Sequence, residues 1–272
     1  MQHGQASIED VKEKLRAAWT AGDFGQIAQY TVKAAEEFVD RLNIKAGDKV
    51  LDVACGTGNL AIPAARAGAD VTGVDIAPNL LEQARHRAAL EGWNIRFDEG
   101  DPEQLPFADT TFDLVMSSFG AMFAPRPERA AAELIRVCRR RGRIAMANWV
   151  PASFVAKMFA VGARFIPPPE GLPSPILWGD EATARSRLAN GTLDIRTTRR
   201  KIDLSLPFGA AEVVQFFRKY FGPVNVAFSK LETQAQAEYA AALESLWKEY
   251  NQGPPGHTLV PTEYLEVVAT RA

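Results

Sequence analysis

The stretch at residues 49–61, KVLDVACGTGNLA, constrains this chain more than any other. Val50, Leu51 and Val53 form a short apolar run suited to a buried strand. Gly56 and Gly58 follow; glycine takes positive φ without steric cost and lets a ligand approach the backbone. From Gly58 the sequence reads as a helix. Such a helix points free N–H groups and its positive dipole end at whatever lies over the turn. The unit suits a nucleotide or a carboxylate.

The neighbouring sequence repeats the strand–helix rhythm. Strands are expected at 70–75, 94–99, 112–117 and 143–149. The intervening helices are expected at about 58–67, from Pro78 to near Gly92, and at 127–139, the last with Ala131, Leu134, Ile135 and Cys138 inward. Strands separated by helices of this length imply a parallel sheet with right-handed crossovers. Ahead of it, Ser7 and Asp10 have the spacing of a capping box, and Ile8, Val11, Leu15 and Trp19 recur at helical spacing. A second amphipathic helix carries Ile27, Tyr30, Ala34, Phe38 and Leu42. After Val150 the rhythm changes. Residues 151–179 are rich in Pro, Phe and Trp and hold one expected helix, 154–165. An extended strand at 193–206, helices at 210–221 and 224–250, and a closing strand at 264–270 follow.

Charge narrows the function classes. Lys and Arg total 31 against 33 Asp and Glu, a balance that disfavours a dedicated nucleic-acid binder. The basic runs at 139–143 and 199–201 read as solvated surface. Two cysteines, Cys55 and Cys138, suggest neither a disulfide framework nor a zinc site and read as small core residues. No segment approaches the ~18 continuous apolar residues of a membrane span, so a cytoplasmic protein without membrane insertion is expected.

Gly56-x-Gly58-x-x-Ala61 fits the dinucleotide fingerprint, and Asp75 ends the next strand, where a carboxylate accepts from ribose hydroxyls. On these features alone NAD is admissible. Asp52 argues otherwise, since a carboxylate just before the glycines would face a pyrophosphate and suits a cationic group instead. The stretch GDPEQLPF, 100–107, places a carboxylate acceptor where an adenine amino group would sit. No Tyr-x-x-x-Lys pair is present for the proton transfer that many short-chain NAD enzymes use.

Taken together, LDVACGTGN, VTGVD, GDPEQLPF and FDLVMSSF resemble the motifs of class I S-adenosylmethionine-dependent methyltransferases, with the ubiquinone/menaquinone-biosynthesis group the most similar. These motifs span about residues 48–149. The resemblance implies a Rossmann-like, doubly wound, seven-stranded α/β sheet, mostly parallel with one antiparallel strand, under a helical cap. It also implies S-adenosylmethionine as cofactor. Asp52, Gly56 and Gly58 would then surround the methionine part, Asp75 the ribose, Ile76 one adenine face and Asp101 the adenine amino group. Ser117 would lie near the methionine and the acceptor. Three positions depart from the family pattern. Ala54 stands where glycine is usual, which trims space. Pro102 stands where a backbone N–H is usual, so one adenine hydrogen bond is expected to be missing and binding weakened. Arg140-Arg141 replaces a Pro-Gly turn.

His3, His86 and His257 are the only histidines, and none is placed as a general base; the catalytic residue is left unassigned. No metal-ligand spacing is visible. The acceptor pocket is expected above the strands' C-terminal ends, with Phe119, Phe123 and Trp149 as its lining. Other aromatic candidates are Trp19, Phe24 and Tyr30 near the N-terminus, and Phe154, Phe159, Trp178, Phe216, Phe217 and Tyr220 beyond Val150, with Ser118, Met122 and Met158 beside them. The expected organisation is one domain: a helical cap over 1–43, a cofactor-binding core over 44–150, a substrate-covering insertion over 151–257 and a closing strand over 258–272. The expected activity is methyl transfer to a small, largely apolar or aromatic molecule. An NAD-linked oxidoreductase and a non-catalytic S-adenosylmethionine-binding module are the rivals, and a homodimer is left open.

Overall fold

A computed structural model describes residues 7–272. Seven strands form one sheet in the order β3-β2-β1-β4-β5-β7-β6. Helix α1, Ile8–Ala21, begins at a reciprocal cap: the Ser7 hydroxyl accepts from the Asp10 N–H and the Asp10 carboxylate accepts from the Ser7 N–H, both at 3.1 Å. The helix stops at Gly22. A Cβ there would sit 2.4 Å from the Tyr220 carbonyl oxygen, so only glycine lets the chain pass. Helix α2, Phe24–Ala28, and helix α3, Val32–Arg41, follow.

The sequence reads α2 and α3 as one helix. In the structure a 3-10 turn, Gln29–Thr31, separates them, and the Thr31 hydroxyl donates to the Ala28 carbonyl at 2.9 Å. The inward face is therefore Ala35, Phe38, Val39 and Leu42.

Strand β1, Lys49–Val53, runs parallel to β2, Asp70–Asp75, on one side and to β4, Phe112–Ser118, on the other. Helix α4, Ala61–Arg66, connects β1 to β2, and α5, Pro78–Leu90, connects β2 to β3, Arg96–Glu99. The strand order reverses on either side of β1, which opens a crevice at the strands' C-terminal ends. Strands β1 and β4 are apolar and wholly buried at Val50, Leu51, Leu114 and Val115, as expected where helices cover both faces. Helix α6, Pro127–Val137, leads into β5, Cys138–Trp149. Cys138 thus opens a strand, paired with Phe112, where the periodicity predicts an inward helical position. Both cysteines are buried and free.

Beyond Val150 lie α7, Phe154–Phe165; α8, Glu181–Ala189; β6, Thr192–Leu206; α9, Ala210–Tyr220; α10, Gly222–Lys230; α11, Thr233–Tyr250; and β7, Thr258–Arg271. Strand β7 is antiparallel to both its neighbours, β5 and β6. The sheet is thus the mixed, mostly parallel one expected.

Helix α8 has no counterpart in the sequence reading. It buries only Ala184 and Leu188, too little for a visible period, and depends on the Asp180 carboxylate capping the Thr183 N–H at 2.9 Å. The single helix read at 224–250 is two, because Leu231 turns to an extended conformation and its carbonyl is taken by the Gln236 side chain at 2.9 Å. Among the described residues no helix is long and apolar enough to cross a membrane.

Candidate active site

A cavity of about 770 Å3 lies over the C-terminal ends of β1, β2 and β4. Its floor is the turn after β1. Ala54, Gly56 and Gly58 all have positive φ, at 55°, 52° and 82°. The Gly58 N–H closes the turn on the Cys55 carbonyl at 2.9 Å. Gly56 has open space where a Cβ would stand, so its backbone faces the cavity bare. Gly58 does not line the cavity; its Cα points at Ile62 and Phe97.

Two carboxylates hold this floor in shape. Asp52, at the end of β1, accepts from the Ala61 N–H at 3.0 Å and so ties the strand to the helix start. Asp75, at the end of β2, accepts from Gly56 N–H at 2.8 Å and from Ala77 N–H at 2.9 Å. Both line the cavity, and among the described residues neither pairs with a cation. Burial pushes the Asp52 carboxyl well above the usual carboxylate range; the Ala61 N–H opposes this, and the nearby Asp75 charge adds to it. Burial likewise raises Asp75 against the pull of the backbone N–H groups of Ala77, Gly56 and Ile76. Two buried carboxyls with no counter-cation, both held against ionisation by burial, form a pocket whose charged form a positively charged ligand would stabilise. An amino-acid ammonium and a sulfonium fit that requirement, whereas a pyrophosphate does not.

Ile76, Asp101 and Pro102 also line the cavity, where the turns after β2 and β3 meet. The opposite wall is aromatic. Phe119 stands just after β4 with φ of 54°, a left-handed conformation that a bulky residue holds only under constraint. Its N–H is fixed to the Ala147 carbonyl at 2.8 Å. Its ring stacks on Trp149 at 3.8 Å and meets the edge of Tyr264 at 5.5 Å. Trp149 is thus behind Phe119 and does not reach the cavity itself. Phe123 reaches it and packs edge-on against Trp19 of α1 at 5.2 Å. Trp19 and Phe24 line it as well.

Ser117 faces inward, its hydroxyl accepting from the Ala121 N–H at 3.0 Å, and its neighbour Ser118 lines the cavity instead. Residues 151–257 contribute no lining residue. Phe154, Met158 and Trp178 are core, as are Phe217 and Met122. Tyr30 and Phe216 pack on each other at 5.9 Å, away from the cavity, and Tyr220 packs on Phe216 at 5.0 Å. Phe159 backs Phe123 at 5.9 Å, and Phe221 backs Trp19 at 5.8 Å. His86 and His257 are exposed, and His3 lies outside the described residues. No group of residues able to hold a metal ion occurs among the described residues.

The sequence reading misses the charged face of α1. Lys12 and Arg16, four residues apart, pair with Glu103 at 2.9 Å and Glu99 at 2.5 Å, on or beside the turn after β3. Both line the cavity. The i, i+4 spacing is visible in the sequence, but their partners lie some ninety residues away.

Comparison with known proteins supports the chemistry the cavity suggests. Residues 50–142 match the family described as a methyltransferase domain. The uncharacterized protein Rv1403c of Mycobacterium tuberculosis is 38% identical over 240 residues, covering 86% of this chain and 87% of that protein. A demethylmenaquinone methyltransferase of Paenarthrobacter aurescens is 39% identical over 111 residues, 41% of this chain and 42% of that one. The chain belongs to the class I S-adenosylmethionine-dependent methyltransferases. Its fold is shared with the YcgJ protein of Bacillus subtilis, at a TM-score of 0.59 and 18% identity over 88% of this chain and 98% of that chain. The methyltransferase uses S-adenosylmethionine to methylate a small organic molecule, and the NAD reading is set aside.

Proposed function

We propose that this methyltransferase acts on a small, largely apolar or aromatic acceptor held against Phe119 and Phe123. One observation carries the reading: a single cavity sets two unpaired carboxylates on one wall and an aromatic cluster on the other. When bound, S-adenosylmethionine supplies a methyl group already activated on a sulfonium. Asp52, Ala54 and Gly56 would hold the methionine part and balance its positive charge, with Gly58 closing the turn behind them. Asp75 accepts from the ribose hydroxyls. Ile76 covers one adenine face, Asp101 accepts from the adenine amino group, and Pro102 shapes the edge beside it.

Phe119 and Phe123 position the acceptor, and Trp149 acts by keeping the Phe119 ring in place. Ser117 orders the start of the loop that carries both phenylalanines, through its bond from Ala121. The chain contributes placement and exclusion of water, and bringing two reactants to near-attack distance accounts for a large part of a methyl-transfer barrier. Within the expected organisation, α1 and α2 of the 1–43 cap cover the cavity directly. Within 151–257, Phe159 and Phe221 back the aromatic wall, while β6 joins β7 of the 258–272 segment in the sheet. The partial likeness to demethylmenaquinone methyltransferase covers less than half of either chain, so the acceptor class is argued from the cavity.

The test is a panel of small acceptors incubated with purified protein and S-adenosylmethionine, read by release of S-adenosylhomocysteine. Turnover is expected with compact aromatic or apolar nucleophiles above the background of strongly polar ones. Turnover confined to sugars or amino acids overturns the acceptor class. Binding of the cofactor with no turnover on any acceptor supports the non-catalytic module.

A further inference from the structure

The turn at residues 101–104 is short of donors. Pro102 has no N–H. The Glu103 N–H donates to the Asp101 carboxylate at 2.8 Å, and the Gln104 N–H donates to the Asp101 carbonyl at 2.9 Å. Residues 102–104 therefore offer an adenine no free backbone donor. An adenine edge presents an amino donor beside a ring acceptor, N1. Asp101 serves the first and leaves the second without a partner, which costs affinity in a closed site.

Lys12 faces this turn from α1. Its ammonium lies 2.5 Å from Asp101 Oδ2 and 2.9 Å from Glu103 Oε2, in the same cavity wall as Asp101 and Pro102. An ammonium has three N–H donors, and these two contacts use two of them. Glu103 is a fixed anchor: its side chain is fully buried and is gripped by Arg126 at 2.7 Å. Burial works against the Lys12 charge, but the bonds to Asp101 and Glu103 outweigh it and hold its pKa above the ordinary lysine value. The third donor stays available.

We propose that Lys12 donates to adenine N1 the hydrogen bond that the backbone at Pro102 cannot make, while Asp101 accepts from the amino group. The assignment rests on the cofactor reading given above. It makes the cap helix part of the purine site, because the residue that reads the ring is carried by α1 and not by the sheet. It also removes the expectation of weakened adenine binding at Pro102.

The test uses the full chain and two ligands: S-adenosylhomocysteine and its 1-deaza analogue, in which C–H replaces N1. Calorimetry is run on the wild type, Lys12→Met and Lys12→Gln. The wild type should hold S-adenosylhomocysteine about tenfold more tightly than the analogue, the range of one hydrogen bond to a charged group. Lys12→Met should bind the two ligands within about twofold of each other, and Lys12→Gln should fall between. A tenfold preference that survives in Lys12→Met overturns the assignment. So does a wild type that binds S-adenosylhomocysteine and ignores the N1 substitution, a result that needs no variant and leaves the cofactor reading intact. A wild type that binds neither ligand overturns both.

Discussion

The two walls of the cavity are built by different means. The wall after β1 and β2 is backbone and carboxylate: Asp52 and Asp75 are clamped by N–H groups of the very turns they shape. The wall after β4 is side chain on side chain, with Phe119 on Trp149, Phe123 on Trp19 and Phe159 behind. Backbone hydrogen bonds fix a geometry whatever the neighbouring side chains become. Aromatic packing fixes a shape that changes with every substitution. A site made this way keeps one ligand constant and lets the other vary.

The largest expected effect breaks the first wall. Asp75→Ala leaves the Gly56 and Ala77 N–H groups without their acceptor and removes the proposed ribose contact. S-adenosylhomocysteine affinity should fall by about a hundredfold or more, given about 1.5–3 kcal/mol for each hydrogen bond to a charged group. Calorimetry showing a loss within threefold would remove Asp75 from the site.

Phe123→Ala should act on the other wall alone. The kcat/KM for the acceptor should drop about tenfold, on the order of 1.4 kcal/mol of transition-state binding, while the dissociation constant of S-adenosylhomocysteine stays within about twofold. If both ligands weaken together, the walls are not independent.

Asp52→Asn sharpens the comparison through pH. Burial lifts the native Asp52 pKa above its unfolded value, so the folded state binds the extra proton. The stabilisation that proton brings is complete below the ordinary value of 3.8 and is lost as pH rises through the lifted one. The ligand-free variant, which has no charge to bury, should therefore melt above the wild type near neutral pH. The gap should close as acid protonates the wild-type Asp52. Parallel melting curves across pH would mean that the carboxyl is not held against its charge.

The smallest effect belongs to Ala54→Gly. Relief of a left-handed alanine, worth roughly 1 kcal/mol, is offset by the added chain entropy of glycine, about 0.5–1 kcal/mol. Denaturant unfolding should show a net change under about 1 kcal/mol. A Cβ on Gly120 would stand 2.6 Å from the Ala54 methyl, so the loops after β1 and β4 touch at this point. A loss of several kcal/mol would show that this contact, and not backbone conformation, governs the position.

The first wall was legible in the sequence because its signals are local. A strand, two glycines, a helix and an acid at the next strand's end lie within some twenty-five residues, and each follows from turn chemistry or periodicity. Much of the second wall was not. Phe119 and Phe123 could be named because they follow β4 directly, but Trp149 lies one layer behind. The aromatic segment after Val150 looked like a cover and packs as a buttress, since composition says that rings are buried but not on which side. Lys12 escaped notice because a charged residue on an amphipathic helix looks like solvated surface until its distant partners are known. Helix α8, with two buried residues, had too faint a stripe to register.

Strand β7 occupies an interior slot between β5 and β6. The sheet therefore cannot be extended strand by strand in chain order, since β6 reaches it only through β7. Until β7 is in place β6 lacks its native partner, and the free edge of β5 is open to pairing with another strand. Fourteen residues, Thr258–Arg271, thus act as the keystone of the sheet. Folding intermediates that aggregate should be those caught before that insertion.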